Sequence, residues 1–89
     1  MTELKQGLAY IQQAHSIDVL ISISNKQGMP LSEYTNGGAD KTKVRRIYEA
    51  EKAGLITLSR EPLNNTVRPY MTRKGWGMVD LFTLIASLP

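Results

Sequence analysis

Cysteine is absent from this 89-residue chain. Without it there is no disulfide framework, no thiolate nucleophile and no sulfur ligand for a metal. Histidine is scarce as well, and His15 alone does not supply a zinc site, so neither a metal nor another cofactor is expected. Long apolar runs are missing: "VLISI" and "LFTLIASL" are interrupted by Ser and Thr and fall far short of the ~20 residues that cross a bilayer. No cationic stretch precedes an apolar segment at the start. The chain therefore reads as a mature, soluble, cytoplasmic protein with no membrane partner. Ser, Asp and His15 occur, but no nucleophile elbow, phosphate loop or paired-carboxylate motif accompanies them. No catalytic residue is expected, and the chain does not read as an enzyme.

What is present is unevenly spread. The formal net charge is +3, yet residues 1–40 carry Lys5 and Lys26 against Glu3, Asp18, Glu33 and Asp40, net −2. Residues 41–89 carry nine Lys or Arg against four acids, net +5. Such polarity points to a polyanionic partner. The densest point is "GGADKTKVRR", residues 37–46, with four cations in six residues directly after a glycine pair.

Periodicity predicts the elements. Leu4, Leu8, Ile11 and His15 share one helical stripe that Thr2 can cap, and His15 reads as a packed or partner-facing residue. Ile17, Leu20 and Ile21 point to the opposite side, so a break is expected near His15 and Ser16, and Gly28 closes the second helix. "MPLSEYTN" reads as a short helix with Pro30 in its first turn, stopped by Gly37 and Gly38. Asp40 is the natural N-cap of a helix over 41–53 that places Val44, Ile47 and Tyr48 inward and ends at Gly54. Residues 55–71, "LITLS", "EPLNN" and "TVRPYM" among them, read as a β-hairpin with Pro69 on an edge. Thr72 then caps a last helix from about Arg73 to Leu88.

This order, with "KAGLI" at 52–56 and "TRKG" at 72–75, resembles the winged helix-turn-helix family of DNA-binding domains. It is similar to small archaeal and bacterial regulators of the MarR, PadR and ArsR kind over residues 16–85. The resemblance implies a mainly α fold with a small β-hairpin wing, in one domain over 1–89. Within it, residues 1–15 form an N-terminal helix available for dimerisation, 16–71 the helix-turn-helix plus wing, and 72–89 the C-terminal helix. The stretch from Leu31 to Gly54 is more compact than the commonest family spacing, which leaves the recognition-helix register open by about one residue.

The resemblance also implies that the N-terminal half of helix 41–53 enters the major groove. A helical wheel sets Thr42, Arg45, Arg46 and Glu49 outward, with Lys41 and Lys43 flanking. Arginine binds guanine O6 and N7 in a bidentate manner, whereas Lys and Thr more often hold phosphate. Arg45 and Arg46 are accordingly expected to read bases, with Lys41, Thr42 and Lys43 positioning the helix. Glu49 either accepts from a cytosine amino group or limits how deep the helix lies. A basic run is ordinarily a solvated face; the winged-helix context shifts this one toward DNA. In the hairpin, Arg60 and Arg68 are candidates for phosphate, and Asn65, beside Asn64, is either a turn residue or a minor-groove contact. Arg73 and Lys74 are further phosphate candidates. Trp76 is expected to anchor the core beneath the hairpin.

Leu4, Leu8 and Ile11 at one end, and Leu81, Leu84, Ile85 and Leu88 at the other, offer more apolar surface than so small a domain covers. The expectation is a two-fold homodimer with recognition helices about 34 Å apart. Its role would be that of a nucleoid-associated, sequence-specific double-stranded DNA-binding regulator of transcription. The other readings are an architectural or partition protein that spreads on DNA, and a winged helix used for protein contact.

Overall fold

A computed structural model describes residues 9–88, so Leu4 and Leu8 of the expected dimer stripe lie outside the described residues. Residues 9–11 are helical, and the chain then turns through His15, whose left-handed backbone (φ 64°) breaks the helix where the two apolar stripes diverge. The Tyr10 hydroxyl donates to the Ser16 carbonyl at 3.1 Å and Ser16 Oγ donates to the Ile11 carbonyl at 3.2 Å, so the corner is tied from both sides. His15 is exposed at this corner.

Helix α1 (Ser16–Asn25) buries Val19, Leu20 and Ile23. The Tyr34 hydroxyl takes over at its C-terminus, donating to the Lys26 carbonyl while accepting from the Met29 N–H at 3.3 Å. Of "MPLSEYTN" only Leu31–Glu33 is helical, as a single 3-10 turn. Buried Thr35 explains the tightness: its Oγ1 donates to the Leu31 carbonyl at 2.9 Å and accepts from the Gly38 N–H at 3.2 Å. Asn36, Gly37 and Gly38 follow with φ of 53°, 69° and 87°, a left-handed run that suits Asn and Gly.

Helix α2 (Lys41–Lys52) starts on the Asp40 carboxylate, which accepts the Lys43 N–H at 3.0 Å. It ends at Gly54 (φ 80°), where Gly54 N–H donates to the Glu51 carbonyl at 3.0 Å and Leu55 N–H to the Ala50 carbonyl at 2.9 Å. This pair of bonds satisfies carbonyls that a helix end otherwise leaves orphaned, and it drives Leu55 into the core. Strands β1 (Ile56–Arg60) and β2 (Val67–Met71) then pair antiparallel, with Leu58 opposite Pro69. The outer side of β2 is covered by the segment after α1: Gly28 N–H donates to the Pro69 carbonyl at 2.9 Å, and Gln27 Oε1 accepts the Met71 N–H at 2.7 Å.

The final helix, α3 (Arg73–Ser87), begins on Thr72. One hydroxyl serves two elements: Thr72 Oγ1 accepts the Gly75 N–H at 3.0 Å and donates to the Gly54 carbonyl at 2.6 Å. Thr72 N–H donates to the Leu55 carbonyl at 3.2 Å, and Lys74 Nζ to the Ala53 carbonyl at 2.9 Å. At Gly75 a Cβ would stand 1.9 Å from the Leu55 carbonyl oxygen, so only glycine lets α3 approach this closely. The two tags "KAGLI" and "TRKG" are thus the two halves of one docking joint. Over the described residues the architecture is mainly helical with one two-stranded antiparallel hairpin, and its core lies where α1, α2 and the start of β1 meet, centred on Leu20, Ile23, Ile47, Leu55 and Ile56.

Candidate nucleic-acid interface

The interface candidate is the outward face of α2, whose inner face is fixed by Ile47 and Ala50, both fully buried. Lys41, Thr42 and Arg45 are exposed as expected, and Lys43 is half-buried. Two residues depart from the expected wheel. Arg46, expected to reach bases, is turned inward and only 8% exposed. Its Nε donates to the Ala14 carbonyl at 2.8 Å and its Nη1 pairs with Glu49. The reason is local: the turn between residue 11 and α1 presents an orphan carbonyl against α2, and Glu49 one helical turn further on completes the guanidinium's partners. Arg46 therefore clamps α2 to the preceding segment, and Glu49 is its counter-ion. Tyr10 packs beside this pair; burial and the Glu49 carboxylate push its phenol upward, while Arg46 pulls it down.

Tyr48 is the second departure. Expected inside, it is 42% exposed. The buried sector of α2 is centred on Arg46, Ile47 and Ala50, which leaves Lys41, Arg45, Tyr48 and Lys52 on one outer stripe at i, i+4, i+7 and i+11. Lys52 and Tyr48 were missed by the wheel because Val44 and Tyr48 pulled its apolar centre toward them; the cation spacing from Lys41 through Arg45 to Lys52 carried the true direction. Among the described residues, Lys41, Lys43, Arg45 and Lys52 have no carboxylate within ion-pair reach.

The hairpin is arranged differently. Arg68 is held by the protein itself: Nε donates to Glu61 at 2.5 Å and Nη1 to the Gly28 carbonyl at 2.9 Å. Its hydrogen bond holds the Glu61 carboxyl below the usual range, the charge of Arg68 acting in the same direction. Arg60 stands 3.9 Å from Glu51, with more than half of its side chain exposed. Asn65 adopts φ 57°, as an asparagine at a turn tip does, while Asn64 Oδ1 accepts the Thr66 N–H at 3.1 Å. Lys74, a phosphate candidate, instead complements the C-terminus of α2 through the Ala53 carbonyl. Trp76 is 40% exposed and does not anchor the core; Val79, one turn later, does.

On the expected dimer surface, Ile11 packs against the core, whereas Leu81, Leu84 and Ile85 on the outer side of α3, and Leu88 just past its end, are 49 to 63% exposed. Among the described residues no group of three metal-ligating side chains is brought together, and no helix is long and apolar enough to cross a membrane. No family model, no curated protein and no solved structure matches the chain.

Proposed function

We propose that the chain is a winged helix-turn-helix protein that binds double-stranded DNA as a homodimer and acts as a transcriptional regulator. The observation that carries this reading is the outer stripe of α2, a set of cations with no carboxylate in ion-pair reach among the described residues, on a helix fixed by the core and capped at the end that would enter the groove. Pairing of Glu49 with Arg46 removes the nearest negative charge from that face, which favours approach to phosphate. Arg45 is the base reader, and Lys41, Thr42, Lys43 and Lys52 are the phosphate contacts. The hairpin contributes through its rim, Arg60 and Asn65, because Arg68 is already engaged. The outer face of α3 supplies the two-fold contact, and its exposed leucines support that role.

The test is a gel shift against random genomic fragments over a salt series, with sequencing of the retained duplexes. With three to four phosphates neutralised per protomer, log affinity should fall with log salt at a slope of about −5 to −7 for the dimer. A single protected palindrome supports the regulator, and spreading along the duplex supports an architectural or partition role. If affinity ignores salt and Arg45→Ala leaves it unchanged, the basic stripe serves a protein partner and the DNA reading fails.

A further inference from the structure

Tyr48 is the one aromatic on the basic stripe, with Arg45 three residues before it and Lys52 four after, all on the outward side of α2. Resting on the DNA-binding reading, we infer that Tyr48 is a specificity residue whose ring packs on a thymine 5-methyl group in the major groove, next to the base that Arg45 reads. Three observations lead there. The ring lies one helical turn after Arg45 on the same stripe, so it follows Arg45 toward the base edges when the N-terminal part of the helix enters the groove. Its exposure of 42% leaves much of an apolar ring uncovered, on a stripe whose other members, Lys41, Arg45 and Lys52, are cations. The thymine 5-methyl is the one methyl group that the four bases present in the major groove, so it is the natural partner for such a ring.

Geometry then fixes the register. Residues three apart on a helix are separated by ~4.5 Å along its axis, close to the ~3.4 Å step between base pairs. A guanine contacted by Arg45 should therefore have a thymine within one or two base pairs, on either strand. The phenol hydroxyl, at the far end of the ring, is free to donate to phosphate, but the methyl contact does not require it.

The experiment uses the full chain and a duplex recovered from the fragment selection. Each thymine is replaced singly by uracil, which removes the 5-methyl group and leaves the hydrogen-bonding edges intact. At one position beside the guanine that Arg45→Ala desensitises, wild-type affinity should fall about three- to fivefold, the effect of losing one buried methyl. Tyr48→Ala should bind more weakly and no longer distinguish uracil from thymine there, while Tyr48→Phe should keep the distinction. Circular dichroism of each variant checks that α2 is intact; Tyr48 lies outside the core, so both variants should fold. Wild type indifferent to uracil throughout, or Tyr48→Ala still sensitive to it, overturns the inference and leaves DNA binding standing. No retained duplex at all, or Arg45→Ala without effect on any duplex, overturns the DNA reading itself and the thymine contact with it.

Discussion

On α2, Lys41, Arg45 and Lys52 have no carboxylate in ion-pair reach among the described residues, whereas in the hairpin Arg68 is gripped by Glu61 and the Gly28 carbonyl, and Arg60 lies near Glu51. Both regions are basic by count. The first offers its charge outward, while the second does so only through the exposed rim at Arg60. An arginine serving as a bracket between segments has its directional donors already occupied, and its charge is largely cancelled at the distance of a ligand. The difference follows from local supply: the hairpin meets Glu61 of its own turn, Glu51 at the end of α2 and an adjacent loop with an open carbonyl, while the start of α2 is preceded by glycines that bring no acid except the capping Asp40. Arg46 shows the two modes inside one helix, since it sits next to Arg45 in sequence and is buried where Arg45 is exposed.

That contrast can be broken by mutation. The largest effect expected is on stability, from Arg46→Ala, which strands the Ala14 carbonyl and the Glu49 carboxylate; a loss of about 2–3 kcal/mol should be seen in urea unfolding, the range for a charged hydrogen bond removed from a mostly buried site. Next comes Arg45→Ala, expected to weaken specific DNA binding by roughly 1–3 kcal/mol, the worth of one bidentate base contact, with stability unchanged to within about 0.5 kcal/mol. Fluorescence anisotropy and unfolding on the same protein separate the two. If Arg45→Ala and Arg46→Ala behave alike in both assays, the division between outward and inward arginines is wrong.

Smaller effects sharpen the comparison. Lys41→Ala should make the salt dependence shallower by about 0.9 for every phosphate that is no longer neutralised. Arg68→Ala should leave that slope unaltered and cost far less stability than Arg46→Ala, because the Arg68–Glu61 pair is partly solvated. The smallest effect is on pH. Glu61 is held below the ordinary carboxyl range by Arg68, so its contribution is complete above its unfolded value of ~4.3, and is lost as pH falls through the lower folded value. Carbon-detected NMR titration of the Glu61 carboxyl should show the depressed midpoint, and Arg68→Ala should return it toward the ordinary range.

How much of this was legible beforehand depends on the range of the interactions involved. The Asp40 and Thr72 caps, the Gly54 stop, the hairpin over 55–71 and the break at His15 were all readable, since each follows from a residue and its neighbours within a few positions. "MPLSEYTN" was readable as punctuation but not as length: the helix is one 3-10 turn because Thr35 closes the chain on itself before a second turn can form. The candidate site divided the same way. That α2 is basic on one side was plain, yet its inner sector was set off course by Tyr48, an aromatic that a wheel counts as core and that the fold leaves outside. Trp76 was misplaced for the same reason, size being taken for burial. "KAGLI" and "TRKG" could be paired only by likeness; the joint that unites them, with Gly75 against the Leu55 carbonyl, needs the two segments brought together.

By itself, then, the order of residues determined where helices start and stop, where the hairpin turns and which half of the chain is positive, because caps, left-handed glycines and charge counts act over a few residues. Tertiary structure alone decided which cations remain available to a partner. A guanidinium turns inward or outward according to whether a carbonyl from thirty-two positions away lies within its reach, and no local pattern contains that carbonyl.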